Sequence, residues 1–237
     1  TLDTLGVFGR TVSDVALGVA AMSADHDLMH IAPLESKLRI GICKTNDFAQ
    51  AKPETAAALS LAGFAAKPLA KDAVIDVNLP VNCAKLSELQ TTIMLFEMAK
   101  SFTFEKLNHW DQISPTLKAI LERGDAIDYA EYSDALMKAR LARASLESLL
   151  SNEFDVLIAP SATGEAPKTL EATGDPIFSR GWTLMGVPCI NLTVTSGPNG
   201  LPVGVTLIAG LGKDRLLLSA AQALAHQLSD PIALNQA

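Results

Sequence analysis

Metal ligation, nucleophilic attack and phosphate binding each need particular residues at particular spacings. This chain of 237 residues offers fragments of all three. His26 and His30 stand at i,i+4 spacing with Asp25 and Asp27 alongside. On a helix that spacing would bring both imidazoles to one ion. The segment instead reads as a helix end running into a loop, with Pro33 close by, so no metal site is assigned. His109 and His226 stand alone and are read as structural. A nucleophilic cysteine would need partial exposure and a nearby histidine. Cys189, inside Val187-Pro188-Cys189-Ile190, is expected to be a buried thiol. No Gly-x-Ser-x-Gly elbow occurs. Gly210-Leu211-Gly212 precedes a helix and could present its N-terminus to an anion. Asp214 at the helix start would repel a phosphate, so a tight strand-to-helix turn is expected. Glu97 sits among large apolar groups in Leu95-Phe96-Glu97-Met98. Buried there, it would need an arginine or a backbone donor, and a structural ion pair is expected. No residue is assigned a catalytic role.

The elements that would position such groups follow from periodicity and punctuation. Thr11 with Asp14 three residues on is a helix start, and Val12, Val15, Ala16, Val19 and Met22 carry the helix to about Ala24. Leu38–Cys43 reads as a strand, and Pro53 can occupy the first position of an Ala-rich helix running to Ala66. Residues 73–79 alternate as a second strand, and the two strands are expected to be parallel across the helix. Residues 84–106 predict one long helix. Pro115 opens a short helix closed by Gly124, and 127–150 a long amphipathic one. Asp155–Ala159 reads as a short buried strand ended by Pro160. Residues 161–177 form a long connection, which marks it as functional or mobile. Gly181–Val194 then predicts a short helix and a buried strand. Ser196–Gly200 is turn chemistry, Gly200–Gly210 a second buried strand, and Asp214–Leu228 the last helix. The reading is α/β.

Composition narrows the class. Hydrophobic residues are 49% of the chain, enough to build a core, and aromatics only 5%, which suits helices packed on a sheet. The net charge is −7 with basic residues scattered, so no nucleic-acid partner is expected. Three cysteines, Cys43, Cys83 and Cys189, make no disulfide framework. No apolar run reaches membrane-spanning length and no signal peptide is visible, so no membrane partner and a cytoplasmic location are expected. The start at Thr1 rather than Met reads as a fragment or a processed chain.

Four blocks, in order, resemble the amidase signature family. The first is Leu2-Asp3-Thr4-Leu5-Gly6 running into Gly9-Arg10-Thr11-Val12-Ser13-Asp14. The second is Ile93–Glu97. The third is Tyr132–Arg140 leading to Phe154–Ser161. The fourth is Gly186-Val187-Pro188 followed by Gly200-Leu201-Pro202-Val203-Gly204-Val205 and on to Gly210. Departures are Thr1 for serine, Gly9 for alanine, Ser161 for threonine, Ala209 for glycine, and Trp182-Thr183 where many relatives carry asparagine. The resemblance implies a mixed central sheet covered by helices, with residues 1–237 as the C-terminal portion of an amidase-like domain. It implies hydrolysis of a small amide substrate by a Ser–cis-Ser–Lys triad upstream of the Leu-Asp-Thr block, with no cofactor and no metal. None of Ser13, Ser23, Ser161 or Ser179 matches that triad, so the chain alone is expected to be inactive and to need the catalytic half. Ser161, Arg180, Trp182 and Thr183 are the candidate substrate-pocket wall. For Trp182 a packed core position is the competing reading. Uncovered apolar faces would favour pairing with the missing half or a homodimer. Two other readings stay open: a non-catalytic interaction or assembly module on the same fold, and a small α/β enzyme using unrecognised residues.

Overall fold

The computed structural model describes residues 1–169 and 173–229. The predicted 161–177 connection is thus described except for residues 170–172, and the end of the 1–237 domain lies outside the described residues.

Helix α1 (Val12–Ser23) starts as the sequence predicts. The Asp14 amide donates to Thr11 Oγ1 at 3.1 Å, and the Thr11 amide donates to Asp14 Oδ2 at 2.9 Å. These reciprocal bonds satisfy backbone donors left over by the first turn. Strand β1 (Ile40–Cys43), helix α2 (Pro53–Ala66, with Pro53 in its first turn) and strand β2 (Ile75–Val77) form the expected parallel crossover. Helices α3 (Leu86–Ser101), α4 (Thr103–Asn108), α5 (Pro115–Asp125) and α6 (Tyr129–Asn152) follow. Then come strand β3 (Val156–Pro160), helix α7 (Ile177–Met185), strands β4 (Cys189–Ser196) and β5 (Pro202–Ile208), and helix α8 (Asp214–Ser229).

The five strands make one mixed sheet in the order β2-β1-β3-β5-β4. β1 is parallel to β2 and β3, and β5 is antiparallel to both β3 and β4. Alternation along the strands sends side chains to two apolar layers. One layer joins Ile40, Ile42, Val156, Ile158, Val205 and Leu207 to α1, α2 and α8. The other joins Cys43, Leu157, Ala159 and Ile208 to α3, α6 and α7. The α/β reading with a mixed, helix-covered sheet is borne out.

Three local expectations are corrected. The single helix over 84–106 is two helices, broken at Phe102 (φ −88°, ψ 21°). The Lys106 ammonium folds back across the break to the Ala99 carbonyl at 3.2 Å and to Asp125, so an orphaned carbonyl finds a donor. Strand β4 is not buried on both faces: Ile190 and Leu192 are buried, but Cys189, Asn191 and Thr193 are exposed. Gly124 does not cap α5. It lies within the helix and is buried against α3, where a Cβ would sit 2.1 Å from the Leu95 carbonyl oxygen and 2.8 Å from Ala99 Cβ. Helix propensity alone would make Gly124→Ala stabilising by about 0.8–1 kcal/mol. The close approach reverses the sign, and urea unfolding is expected to show a loss of about 1–3 kcal/mol from overpacking. An unchanged or raised midpoint would contradict this packing of α5 on α3.

Candidate functional site

The helical layer that includes α3, α6 and α7 does not extend over the whole sheet. It covers Leu157, Ala159 and Ile208, but the outward side of β4 and the first part of β5 stay open. Cross-strand register groups the residues there. Cys189 stands opposite Ile208, Asn191 opposite Thr206, and Thr193 opposite Gly204, with Thr206 in turn opposite Ala159 of β3. The chain leaving β3 places Ser161 beside this ladder. Asn191 Nδ2 donates to Ser161 Oγ, and Thr206 Oγ1 donates to Ser161 Oγ at 3.1 Å. A small polar cluster thus spans β3, β4 and β5 on a face that water can reach.

Gly204 makes the cluster possible. A Cβ there would lie 2.5 Å from the Leu192 carbonyl oxygen and 2.6 Å from Asn191 Oδ1, so the Asn191 side chain occupies the space a larger residue would fill. A glycine inside a strand commonly marks such a close approach. Together with the alternation Cys189, Asn191, Thr193, it is the signal in the sequence that could have found the cluster.

Two concavities meet at Asn191. One, of about 480 Å³, is lined by Trp182, Thr183, Pro188, Cys189 and Thr206 among others, with Thr4 and Leu5 of the opening segment. The other, of about 630 Å³, runs past Ser161, Thr163, Glu165, Lys52, Asp175 and Thr193. Of the four predicted wall residues, Ser161 lines one hollow while Trp182 and Thr183 line the other. Arg180 borders neither. Its guanidinium lies 3.4 Å from Thr91 Oγ1 and 3.4 Å from Asp175 Oδ1. Trp182 is only 4% exposed, so it packs in the core while bordering the hollow.

Helix α7, which carries Arg180, Trp182 and Thr183, is fixed at its C-terminal end. Gly186 adopts a left-handed conformation (φ +66°), and its amide donates to the Trp182 carbonyl at 2.9 Å. Arg143 of α6 donates to the Leu184 carbonyl at 3.0 Å. Both satisfy carbonyls that a helix end leaves free. The loop after Ser161 is tied down by Glu165. Its carboxylate accepts from the Asn199 amide at 2.9 Å and the Leu201 amide at 3.1 Å, and from the Asn199 side chain. Desolvation alone would raise the Glu165 carboxyl, but these donors outweigh it and hold it below the ordinary glutamate range. Sequence reasoning placed Glu165 in the right loop without finding this clamp, because its partners lie more than thirty residues away across a turn.

The other candidates resolve as structure. His26 and His30 are exposed at a short 3-10 turn, and the flanking Asp25 and Asp27 pair with Arg215 at 3.1 Å each. Among the described residues no group of three His, Cys, Asp or Glu side chains is placed to hold a metal. Glu97 accepts from the Thr1 hydroxyl at 2.7 Å and the Tyr132 hydroxyl at 2.9 Å. The side-chain partners of Glu97 are hydroxyl groups, so its role is structural, tying α3 to α6 and to the opening segment. Cys43 and Cys83 are buried, and burial pushes both thiols up to about 11. Cys189 is exposed, contrary to expectation, because it points to the uncovered side of β4. It still lies on the floor of the hollow, where desolvation pushes its thiol up to about 12, and an un-ionised thiol is a poor nucleophile.

Sheet, helical layers and open polar ladder describe an α/β protein with a solvent-lined cleft on one sheet face. The Amidase family model matches residues 1–218, and the chain belongs to the amidase signature family. It is 25% identical over 262 residues to the 6-aminohexanoate-cyclic-dimer hydrolase of Pseudomonas sp. (strain NK87), covering 92% of this chain and 52% of that protein. The same hydrolase from Paenarthrobacter ureafaciens is 24% identical over 262 residues, again covering 92% and 52%. A component of the mitochondrial glutamyl-tRNA(Gln) amidotransferase of Rattus norvegicus is 24% identical over 281 residues, covering 98% and 53%. A solved structure of 6-aminohexanoate cyclic dimer hydrolase superposes with a TM-score of 0.75 at 22% identity, over 94% of this chain and 54% of that one. The chain thus spans about half the length of these relatives. No described helix is long and apolar enough to cross a membrane.

The Glu165 clamp gives a pH prediction with a definite sign. A carboxyl whose folded value is depressed contributes fully above its unfolded value, and the contribution is lost as pH falls through the folded value. The Asn199 and Leu201 amide resonances are expected to titrate together, with a midpoint below the ordinary glutamate value. In Glu165→Gln that titration should vanish. A midpoint at or above the ordinary value would contradict the clamp.

Proposed function

We propose that this chain is the C-terminal part of an amide hydrolase, contributing sheet strands and one wall of the substrate pocket. The observation that carries the reading is the open polar ladder of Ser161, Asn191 and Thr206 beside two hollows. A sheet face meant for packing would be apolar there, whereas hydrogen-bonding groups at the floor of a cleft suit recognition of a polar substrate. The named relatives are cyclic-dimer hydrolases and a component of an amidotransferase. The family resemblance assigns the Ser–cis-Ser–Lys triad to sequence preceding the Leu-Asp-Thr block. On this reading Ser161 and Thr183 bind rather than react. Trp182 supports the wall from within, and Arg180 sets the α7 surface through Asp175. The substrate is a small amide, and no cofactor is needed.

The same reading gives the uncovered face a partner, namely the catalytic half of the same protein. Without it, apolar groups such as Leu5 (86% exposed) and Phe8 (103% exposed) lie bare, which favours self-association into a homodimer.

The test assays a panel of linear and cyclic amides with this chain and with the longer gene product containing it. The longer protein should hydrolyse at least one and react with an active-site serine probe, and this chain alone should do neither. In the longer protein Asn191→Ala is expected to cost roughly tenfold in kcat/KM, the equivalent of about one hydrogen bond. Hydrolysis or probe labelling by this chain alone would overturn the proposal.

A further inference from the structure

Between the loop after β1, the first turn of α3 and helix α7 lies a small cavity that the proposed amide chemistry does not use. It offers about 20 Å³ of space for the centre of a water molecule, where seating one water needs roughly 10–15 Å³. Thr45, Asn46, Ser87 and Trp182 are among the residues lining it. Two of these have satisfied side chains. Asn46 Nδ2 donates to the Ala84 carbonyl at 3.0 Å, and Ser87 Oγ donates to Asp47 at 2.7 Å. The other two do not. Trp182, only 4% exposed, has an indole Nε1 with no acceptor, and the Thr45 hydroxyl oxygen is buried with no partner among the described residues.

The two orphaned groups are complementary to a single bridging molecule. An indole N–H can only donate, while a hydroxyl can donate or accept. A molecule that accepts from the indole and exchanges a hydrogen bond with the hydroxyl satisfies both. Thr45 also sits at φ +58°, a conformation uncommon for a residue with a branched side chain. Such backbone strain persists where the surroundings over-determine it.

We infer that this cavity is a built site for one structural water, bridging Thr45 Oγ1 and Trp182 Nε1. The volume is that of a single water, and Leu86 and Phe178 are among the apolar side chains that line it. The water ties the loop after β1 to α7, the helix that also carries Arg180 and Thr183. The inference stands independently of hydrolytic activity.

A crystal structure of this chain at a resolution that shows solvent should reveal one ordered water within about 3.2 Å of both atoms. In solution, the Trp182 indole proton should show a cross-peak to a long-lived water. That cross-peak should survive in Thr45→Ser and be lost in Thr45→Val, which keeps the branched shape and removes the hydroxyl. Absence of the water from density, an indole N–H bonded to a protein acceptor, or an undiminished cross-peak in Thr45→Val would each overturn the inference.

Discussion

The ion pair between Arg39 and Asp155 holds the two halves of the sheet in register. Asp155 accepts from the Arg39 backbone amide at 2.7 Å and from its guanidinium at 2.7 Å and 3.3 Å, while the same guanidinium reaches the Asn152 carbonyl at 2.6 Å. These bonds from Arg39 hold the Asp155 carboxyl below its ordinary range, ahead of the opposing effect of desolvation. The pair sits just before β1 and just before β3, so it sets where the two parallel strands begin to run together. β3 then passes that register on to β5 through antiparallel pairing, and β5 to β4. A slip of one residue at β3 would turn every side chain of the strand to the other layer. Ala159 would leave the face it shares with Thr206, and Ser161 would no longer meet Asn191.

From that constraint the asymmetry of the molecule follows. The layer formed by α1, α2 and α8 follows the sheet out to its β4 edge, where Ile190 and Leu192 are buried. The opposite layer stops at β5, with Ile208 its last contribution from the hairpin. The sheet residues beyond that limit include Asn191, Thr193 and Thr206, where apolar side chains would otherwise have to be covered. The two ends of the cleft are stiffened by different devices. Arg143 and the left-handed Gly186 fix the end of α7, and Glu165 fastens the loop after Ser161 to the β4–β5 turn. Both satisfy backbone groups that would otherwise be left to solvent.

Much of the fold was legible because its determinants are local. Thr11 with Asp14, Pro53 at a first turn and the Ser196–Gly200 turn each act within a few residues, and each element formed where the sequence placed it. The features that were not legible are non-local. Gly124 looked like a helix terminator because nothing near it in sequence reports the Leu95 carbonyl across the interface. The break at Phe102 is supported by Lys106 and Asp125, whose convergence only the packed α4 and α5 create. The β4 face was readable in principle, since Cys189, Asn191 and Thr193 alternate with Ile190 and Leu192. The flanking Val187-Pro188 made the run look uniformly apolar, and the alternation was lost in it. The candidate wall was only partly legible. Ser161 and Thr183 face the hollows, but Asn191 and Thr206 were found only once the strands were paired.

The edge strand adds a further constraint. β4 is eight residues long and stands at the end of the sheet order, with a register shift between Thr193 and Thr195. An edge of that length presents unpaired backbone groups that invite another strand, and a bulge is one of the ways such an edge is blunted. Here the irregularity falls near the far end of the strand, past Asn191, leaving the stretch from Cys189 to Leu192 regular. Regular edge and polar ladder therefore coincide along the same four residues. A strand added along this edge would place its alternate side chains, by the period of the pleat, beside Cys189 and Asn191 on the cleft side and beside Ile190 and Leu192 on the side that α1, α2 and α8 already cover.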